Sequence, residues 1–314
     1  MKLPFVALAA VAFCGMAAAA DPQLMNLVMP DAKVLAGINV QQAKASPFGQ
    51  YLLSQAQSND TGLQELIGAT GFDPRRDLSE VLFASTGRPG NHQGLAVVRG
   101  NFDVARILQA ARNKGQTPQL YQGVQILNNP DNSQSLAFLD GTLAVAGNAG
   151  FVRGAIDRRT APAALDPVLV AKANGLSVTQ SAWFVSLVPG AGMHAPLPPD
   201  NPAGAQANVL QKIQQASGGV LFGPNVLLTA EAVAATSQDA TALADVIRFV
   251  ASMAQYQARQ NNTQVPADLL QNLDVKTAAN ITTVSLSIPE DRLEQLVHNP
   301  PHGAGPRHRQ VERQ

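Results

Sequence analysis

Short apolar strands alternate with amphipathic helices along the chain, and this order constrains the fold more than any other feature of the sequence. Apolar residues at every second position predict a strand over 31–40, and Ser46-Pro47 predicts the start of a helix that reaches Leu53. A Gly/Pro/Asn/His turn should pair two further strands over 81–85 and 95–99. Strands that pair with their sequence neighbours, with helices between them, predict an α+β fold with an antiparallel sheet.

The pattern continues to residue 160. A helix with one apolar face is predicted over 103–112, and a strand over 120–127. Asp140-Gly141 should form the turn of a hairpin over 136–145, because this residue pair accepts the positive φ of a type I′ turn. A short helix over 150–158 follows.

The second half of the chain repeats much of this order. Val220-Leu221-Phe222 matches Val81-Leu82-Phe83, and each triplet is followed by a turn, a strand and a helix. The other predicted elements of this half are a strand over 182–188, a helix around 209–215, a long helix over 236–257 with Ser237 as its N-cap, a strand over 282–288 and a last helix that begins at Pro289. We predict two related mixed helix/antiparallel-sheet halves, residues 21–160 and 161–298, from an internal duplication. The alternative is chance resemblance between short α+β units.

The first twenty residues have the three zones of a signal peptide. Lys2 supplies a positive charge, residues 3–13 are almost wholly apolar, and Ala18-Ala19-Ala20 offers the small side chains that signal peptidase needs. The apolar run is much shorter than the ~20 residues that span a bilayer. The sequence therefore predicts cleavage after Ala20, Asp21 as the first mature residue, and a periplasmic or secreted protein.

Cys14 is the single cysteine of the chain. Lipid attachment at Cys14 would require a small residue before it, and that residue is Phe13. The favoured interpretation is a cysteine that is discarded with the leader. A mature chain without a thiol can have no disulfide, no cysteine-ligated metal and no cysteine nucleophile.

Charge and hydropathy exclude several classes of partner. The chain has 22 basic and 22 acidic residues, so no electrostatic footprint for nucleic acid or anionic lipid is expected. The run of at least about 18 apolar residues that a membrane span needs is missing after residue 20, which predicts no transmembrane span in the mature chain. Residues 299–314 have almost no apolar content and are predicted to be a disordered tail.

The densest charge cluster is Asp73-Pro74-Arg75-Arg76-Asp77. Two carboxylates could carry out acid–base chemistry, but the adjacent arginines would lower their pKa values. Helix capping is the favoured interpretation, with Asp73 as N-cap and Pro74 as the first helical residue. Gly147-Asn148-Ala149-Gly150 is similar to a phosphate-binding turn, yet it follows a hairpin strand and lacks the dinucleotide and P-loop motifs.

The histidines offer no recognisable site. His92 and His194 lie in turn-rich loops without a carboxylate or a second histidine at ligand spacing. The tail histidines could bind a transition metal only loosely; they are His298, His302 and His308. No Gly-x-Ser-x-Gly elbow is present. We therefore predict no catalytic, cofactor-binding or metal-binding residues.

Turns and strand edges carry a resemblance to a known group. The segments are the Gly-Phe-Asp-Pro-Arg-Arg-Asp-Leu run at 71–78, the Gly-Leu-Ala-Val-Val-Arg-Gly-Asn-Phe-Asp run at 94–103, Tyr-Gln-Gly-Val at 121–124, and the run at 138–147 around Asp140-Gly141. The chain resembles uncharacterised exported proteins of acidobacteria and similar bacteria, which carry an α+β domain of unknown function. The resemblance implies a fold and an exported location, and it implies no catalytic residue.

Three functions remain open. The first is a non-catalytic envelope protein with a structural or protein-binding role. The second is a periplasmic carrier of an apolar small molecule or lipid, with a groove between the helix over 236–257 and a sheet. The small residues Ala240, Ala244, Ala251 and Ala254 would leave that space, although such residues more often mark close helix packing. The third is a hydrolase without a recognisable motif. The Pro/Gly-rich stretch 189–204 could serve as a lid or bind a partner.

Overall fold

A computed structural model of the protein describes residues 20–55, 61–88, 94–190, 207–260 and 269–298. Helices and one large antiparallel sheet make up these residues, so the predicted α+β fold is confirmed. The helices are α1 Pro22–Met25, α2 Val40–Ala45, α3 Pro47–Gln55, α4 Thr61–Thr70, α5 Pro74–Asp77, α6 Val104–Asn113, α7 Ala149–Arg158, α8 Pro167–Thr179, α9 Ala207–Leu210, α10 Ser237–Gln260 and α11 Glu290–His298.

Twelve strands form a single sheet in the described part of the chain. They are β1 Val34–Asn39, β2 Leu78–Ser85, β3 Gly94–Gly100, β4 Gln119–Tyr121, β5 Val124–Asn128, β6 Gln134–Phe138, β7 Leu143–Asn148, β8 Ala182–Ser186, β9 Ile213–Leu221, β10 Asn225–Ala234, β11 Leu273–Ala278 and β12 Ile281–Pro289. Their order across the sheet is β11-β12-β10-β9-β8-β1-β2-β3-β7-β6-β5-β4. Every neighbouring pair is antiparallel, so hairpins and helical crossovers account for the connections.

The two halves of the chain meet at the β1–β8 pair in the middle of the sheet. Ile38 of β1 lies opposite Ala182 of β8. On the outer side of each strand, Val81 pairs with Ile38 and Val220 pairs with Ala182. The triplets that begin at Val81 and Val220 therefore occupy equivalent places on either side of the centre. From the centre outward, the order β1-β2-β3-β7-β6 agrees with the order β8-β9-β10-β12-β11, while β4 and β5 have no counterpart among the described strands. The origin of the halves by duplication stays a prediction.

The main core lies on one face of the sheet, which we call the covered face. Its strand residues include Leu35, Leu82, Val97 and Val185, each at most 2% exposed. The helices α1, α7 and α8 supply the other side of this core, with Leu24, Val152 and Leu169 fully buried. Because β8 and α8 come from the second half and the other elements from the first, both halves share one core.

On the opposite face, here the open face, the described helices α6 and α10 cover the two sides. Ile107 of α6 packs with Phe102, Phe138 and Ala144 over the first half, and α4 lies against α6. Over the second half, α10 packs on β10 and β12, where Thr282 Oγ1 donates a 2.8 Å hydrogen bond to the Ala240 carbonyl. The strands between these helices carry side chains that remain partly exposed.

The predicted helix starts are largely confirmed. Ser46 Oγ accepts a hydrogen bond from the amide of Gly49 at the start of α3, and Asp73 caps α5. For α10 the prediction of Ser237 as N-cap is wrong. The cap is Thr236, whose Oγ1 accepts from the Asp239 amide while donating to its carboxylate. Thr236 is the cap instead of Ser237 because the two hydrogen bonds with Asp239 need a spacing of three residues.

Other boundaries differ from the predictions for local reasons. The single strand predicted over 120–127 is a hairpin of β4 and β5, in which Gln122 and Gly123 both have positive φ. Asp140-Gly141 does form a hairpin turn, but without positive φ, because Asp140 Oδ1 accepts from the Thr142 amide. The helix predicted around 209–215 ends at Leu210. Helices α2, α4 and α8 were not predicted.

The close approach of β1 and β8 depends on Gly37. A Cβ at this position would lie 2.6 Å from Trp183 Nε1, and the Trp183 ring is buried. We expect Gly37→Ala to lower the free energy of unfolding by about 1–3 kcal/mol through overpacking. Urea unfolding followed by the fluorescence of this lone tryptophan measures the change.

The matched control is Gly175→Ala in α8, where an added Cβ meets open space. This change should raise the free energy of unfolding by about 0.5–1 kcal/mol, since glycine is a poor helix former. Equal stability of wild type and Gly37→Ala would contradict the packing of Trp183 on Gly37.

Candidate functional site

An apolar row crosses ten strands on the open face. Each member lies opposite the next in the register of the sheet, and no member is polar: Phe138, Ala144, Val98, Val81, Ile38, Ala182, Val220, Leu228, Leu286 and Leu273. The helices α6 and α10 cover the two sides of this row. The middle of an antiparallel sheet face that meets solvent is normally polar. An apolar row there is unusual for a face that meets solvent.

A shallow depression of about 380 Å³ lies over the middle of the row, and we call it the central groove. Its large side chains are much more exposed than core residues: Ile38 is 45% exposed, Phe83 43% and Phe184 40%. The groove is lined by Ala36, Gly37, Ile38, Val81, Phe83, Ala182, Trp183, Phe184, Gly219, Val220, Leu228 and Thr229. Thr229 is the only lining residue with a side-chain hydroxyl, and this group donates to the Gly219 carbonyl.

A second cavity of about 310 Å³ lies between the sheet and helices α4 and α6, and we call it the α6 pocket. It is lined by Leu66, Thr70, Phe72, Pro74, Leu78, Val98, Phe102, Ile107, Leu136, Phe138 and Ala144. Its one hydroxyl, on Thr70, donates to the Leu66 carbonyl at 2.6 Å and accepts from the Phe72 amide. The α6 pocket adjoins the central groove, because Val98 of the pocket is the register partner of Val81 of the groove.

Helix α10 turns an apolar flank toward the central groove. Arg248 donates to the Val275 carbonyl of β11, and Gln255 donates to the Leu270 carbonyl, so these residues mark the flank that faces the sheet edge. At 100° per residue, Val250 lies on the opposite flank, together with Val246 and Met253. Val250 is 49% exposed. This apolar flank is on the side of α10 away from the sheet edge, while the lining of the central groove itself comes from the strands.

The charge cluster at 73–77 lies beside the α6 pocket. Arg75 donates to Asp73 at 2.8 Å and Arg76 donates to Asp77 at 2.7 Å. The hydrogen bond from Arg75 holds the pKa of Asp73 below its usual range, and Arg76 does the same for the pKa of Asp77. Both carboxylates are thus ionised at neutral pH, which supports the predicted capping role over acid–base chemistry.

The glycine-rich corner at 147–150 has a structural explanation. Gly147 has a φ of +140°, and an added Cβ would clash with the Gly94 carbonyl of the neighbouring strand. Asn148 caps α7 by accepting from the Gly150 amide at 2.9 Å. The first amide that a phosphate would use is therefore already bonded to the protein's own side chain.

Several other sequence candidates lie outside the described residues. These are His92, His194, His302, His308, most of the stretch 189–204 and the tail 299–314, while the side chain of His298 at the end of α11 is also outside. Within the described ranges, no group of three or more histidine, cysteine, aspartate or glutamate side chains could hold a metal ion. None of the helices described there is both long and apolar enough to cross a membrane.

The alanines of α10 do not leave the space that the carrier hypothesis assigned to them. Ala240 and Ala244 are fully buried, and Thr282 bonds to the Ala240 carbonyl. Close helix packing, the alternative interpretation, therefore holds for these two residues. The apolar space lies instead in the α6 pocket and the central groove. A signal for it was present in the sequence, since β1 and β2 carry apolar residues on both faces.

Comparison with known proteins gives the fold and nothing further. No protein-family model and no curated protein matches the chain. Crystal forms I, III and IV of TP0453 are similar in structure, with TM-scores of 0.49, 0.49 and 0.50. Sequence identity is 10% for form I and 11% for the other two. The alignments cover 87% of this chain and 95–96% of TP0453. At such low identity, the form IV match is a likeness of fold between this protein and TP0453.

Proposed function

We propose that the protein is an exported, non-catalytic binding protein that holds an elongated apolar molecule, such as an acyl chain, on its open face. The observation that supports this most is the apolar row of ten strands, which runs from the α6 pocket into the central groove. Burying such a row is worth about 25 cal/mol per Å² of apolar surface removed from water. The leader over 1–20 supports a periplasmic or secreted location.

The size of the cavities fits a chain molecule. An apolar protein cavity of about 150 Å³ holds benzene. By that measure the α6 pocket, at about 310 Å³, holds roughly twelve carbon atoms. The adjoining central groove adds about 380 Å³, so a longer chain could extend from the pocket along the floor of the groove. A compact polar metabolite would find almost no hydrogen-bonding partner in either cavity.

The linings favour binding over chemistry. The hydroxyls of Thr70 and Thr229 are both engaged with backbone carbonyls. The remaining lining side chains are apolar and contain no acid, base or nucleophile. General acid–base or nucleophilic catalysis requires such a group within hydrogen-bonding reach of the substrate.

A protein partner with an amphipathic helix is the second candidate, and the apolar flank of α10 favours it. Five strand spacings separate β3 from β10, which is roughly 24 Å at about 4.8 Å per spacing. The helices α6 and α10 lie above the two ends of this span. Between them remains a slot about as wide as one helix, whose diameter with side chains is roughly 10–12 Å. Helix-in-groove recognition uses such a slot.

The test is native mass spectrometry of the mature protein, purified from its own host without detergent. We expect extra mass that disappears on denaturation and corresponds to a molecule with an alkyl chain. A fluorescent C12 acyl probe should bind the emptied protein, and Phe184→Ser in the groove floor should weaken this binding. The matched control is Phe249→Ser on α10, which removes an equally exposed phenylalanine outside both cavity linings.

The outcomes separate the two candidates. A clean chain mass together with no probe binding would contradict the carrier. Co-purification of a stoichiometric protein whose binding is lost in Phe184→Ser would instead support the helix-binding role.

A further inference from the structure

A compact charge cluster surrounds the first residue of the predicted mature chain. Asp21 caps α1, because its side chain accepts a 2.8 Å hydrogen bond from the Gln23 amide. The Asp21 carboxylate also pairs with the Arg99 guanidinium on β3. Arg99 donates in addition to Gln23 Oε1 at 2.8 Å. The start of α1 is thus fixed to the sheet by charged groups.

Glu80 of β2 is the fourth member of this cluster. It lies directly opposite Arg99 in the register of the sheet. The Asp21 backbone amide is close enough to the Glu80 carboxylate to favour its ionised form. Burial raises the pKa of the Glu80 carboxyl, the Asp21 charge raises it further, and Arg99 opposes both effects.

The cluster lacks one positive charge. It contains the carboxylates of Asp21 and Glu80 but a single guanidinium, that of Arg99. Arg99 turns its Nη2 toward Asp21, while its Nε is buried without a hydrogen-bond partner. A partly desolvated carboxylate without a matching charge destabilises the folded state.

We propose that removal of the leader supplies the missing charge: cleavage after Ala20 converts the Asp21 amide into an α-ammonium group that forms an ion pair with Glu80. The proposal concerns maturation of the chain and not ligand binding, but it rests on the exported location in the proposed function. The ammonium nitrogen takes the place of the amide nitrogen that already favours the ionised form of Glu80. The mature cluster then has two positive and two negative groups in alternation.

This arrangement requires that the leader is cleaved before α1 docks on the sheet. Ala20 is only 4% exposed, so the bond between Ala20 and Asp21 is enclosed once α1 has docked on the sheet. Signal peptidase must therefore cut before α1 docks. Cleavage in turn stabilises the docked state, because the new amine has a partner there.

The experiment compares two chains that start at Asp21 by urea unfolding, one with a free amine and one whose amine is acetylated, each with and without Glu80→Gln. In the free-amine chain, Glu80→Gln should lower the folding equilibrium constant by about tenfold, since an ion pair is lost. In the acetylated chain the same change should be neutral or stabilising, because it removes an unmatched carboxylate. The control is Glu231→Gln, which breaks a pair with Lys172 and should act equally in both chains.

A second readout follows the amine itself. Its pKa in the free-amine chain, measured by NMR titration, should lie above the ordinary range of about 7.7–8.0 and return to that range in Glu80→Gln. Equal effects of Glu80→Gln in the two chains, with an ordinary amine pKa, would overturn the proposal. A native chain whose mass shows a first residue other than Asp21 would also overturn the proposal. That result would contradict the predicted cleavage site and not the geometry of the charge cluster.

Discussion

Neither half of the chain should fold alone. A fragment of residues 21–160 retains seven strands but exposes the β8-facing edge of β1 and loses α8 from the covered face. Leu35 would lose its neighbours Val185 and Leu169, which belong to the other half. Domains of this size are stable by only about 5–15 kcal/mol, and the loss of several such buried contacts exceeds that margin.

The measurement is circular dichroism with urea unfolding for the fragments 21–160 and 161–298, alone and mixed. We expect each fragment alone to lack a cooperative transition and to aggregate through its exposed strand edge. The mixture should regain the transition of the intact chain, which serves as the control. Cooperative unfolding of fragment 21–160 by itself would show that the predicted halves are independent domains.

Filling the α6 pocket should abolish binding without harming the fold. Ala144 forms part of the pocket wall, and Ala144→Leu places three extra carbon atoms in the space that an acyl chain would occupy. Affinity for the C12 acyl probe should fall at least about tenfold, because one methylene in an apolar pocket is already worth about 1–3 kcal/mol. The free energy of unfolding should stay unchanged or rise by about 0.5–2 kcal/mol, as in other cavity-filling changes.

The matched control is Ala137→Leu on the neighbouring strand. Ala137 is fully buried on the covered face, opposite Val145, and it lines neither the α6 pocket nor the central groove. This change should lower the free energy of unfolding by about 1–3 kcal/mol through overpacking. If Ala144→Leu destabilises the protein as much as Ala137→Leu does, the pocket is closed in solution. If it leaves probe affinity unchanged, the ligand binds elsewhere.

Local chemistry made much of the fold predictable. Asp73-Pro74 and Ser46-Pro47 predict helix starts correctly because capping depends on residues two or three positions away. The strand over 282–288 follows from alternation, and the strands over 81–85 and 95–99 follow from the turn between them. Helix α8 was missed because its apolar residues cover both sides of the helix and show no single face. The side of α8 that becomes buried is decided by its contacts with β8 and with β1, and β1 lies far away in sequence.

The candidate site depends on register, which no single segment reveals. Apolar residues on both faces of β1 and β2 are visible in the sequence, but the sequence gives no sign that Leu35 and Leu82 face the core while Ile38 and Phe83 stay exposed. Ile38 and Phe83 lie between the parts of the open face that α6 and α10 cover. The carrier hypothesis placed its groove beneath α10 because the sequence does not reveal how the strands and helices lie against each other there. The spacing of Ala240 and Ala244 shows which side of the helix is narrow, but not how closely the sheet approaches it.

The central position of β1 has a consequence for how the chain reaches its folded state. Of the described strands, β1 is synthesised first, yet one of its two neighbours is β8. Val34 cannot pair with Ser186 until the chain has been synthesised as far as β8. Until then the hydrogen-bonding groups on one side of β1 have no strand partner. Pairings between such distant segments slow folding. During this interval an exported chain would expose an unpaired strand edge, which can pair with other chains. We expect a holding chaperone to bind the chain at this stage.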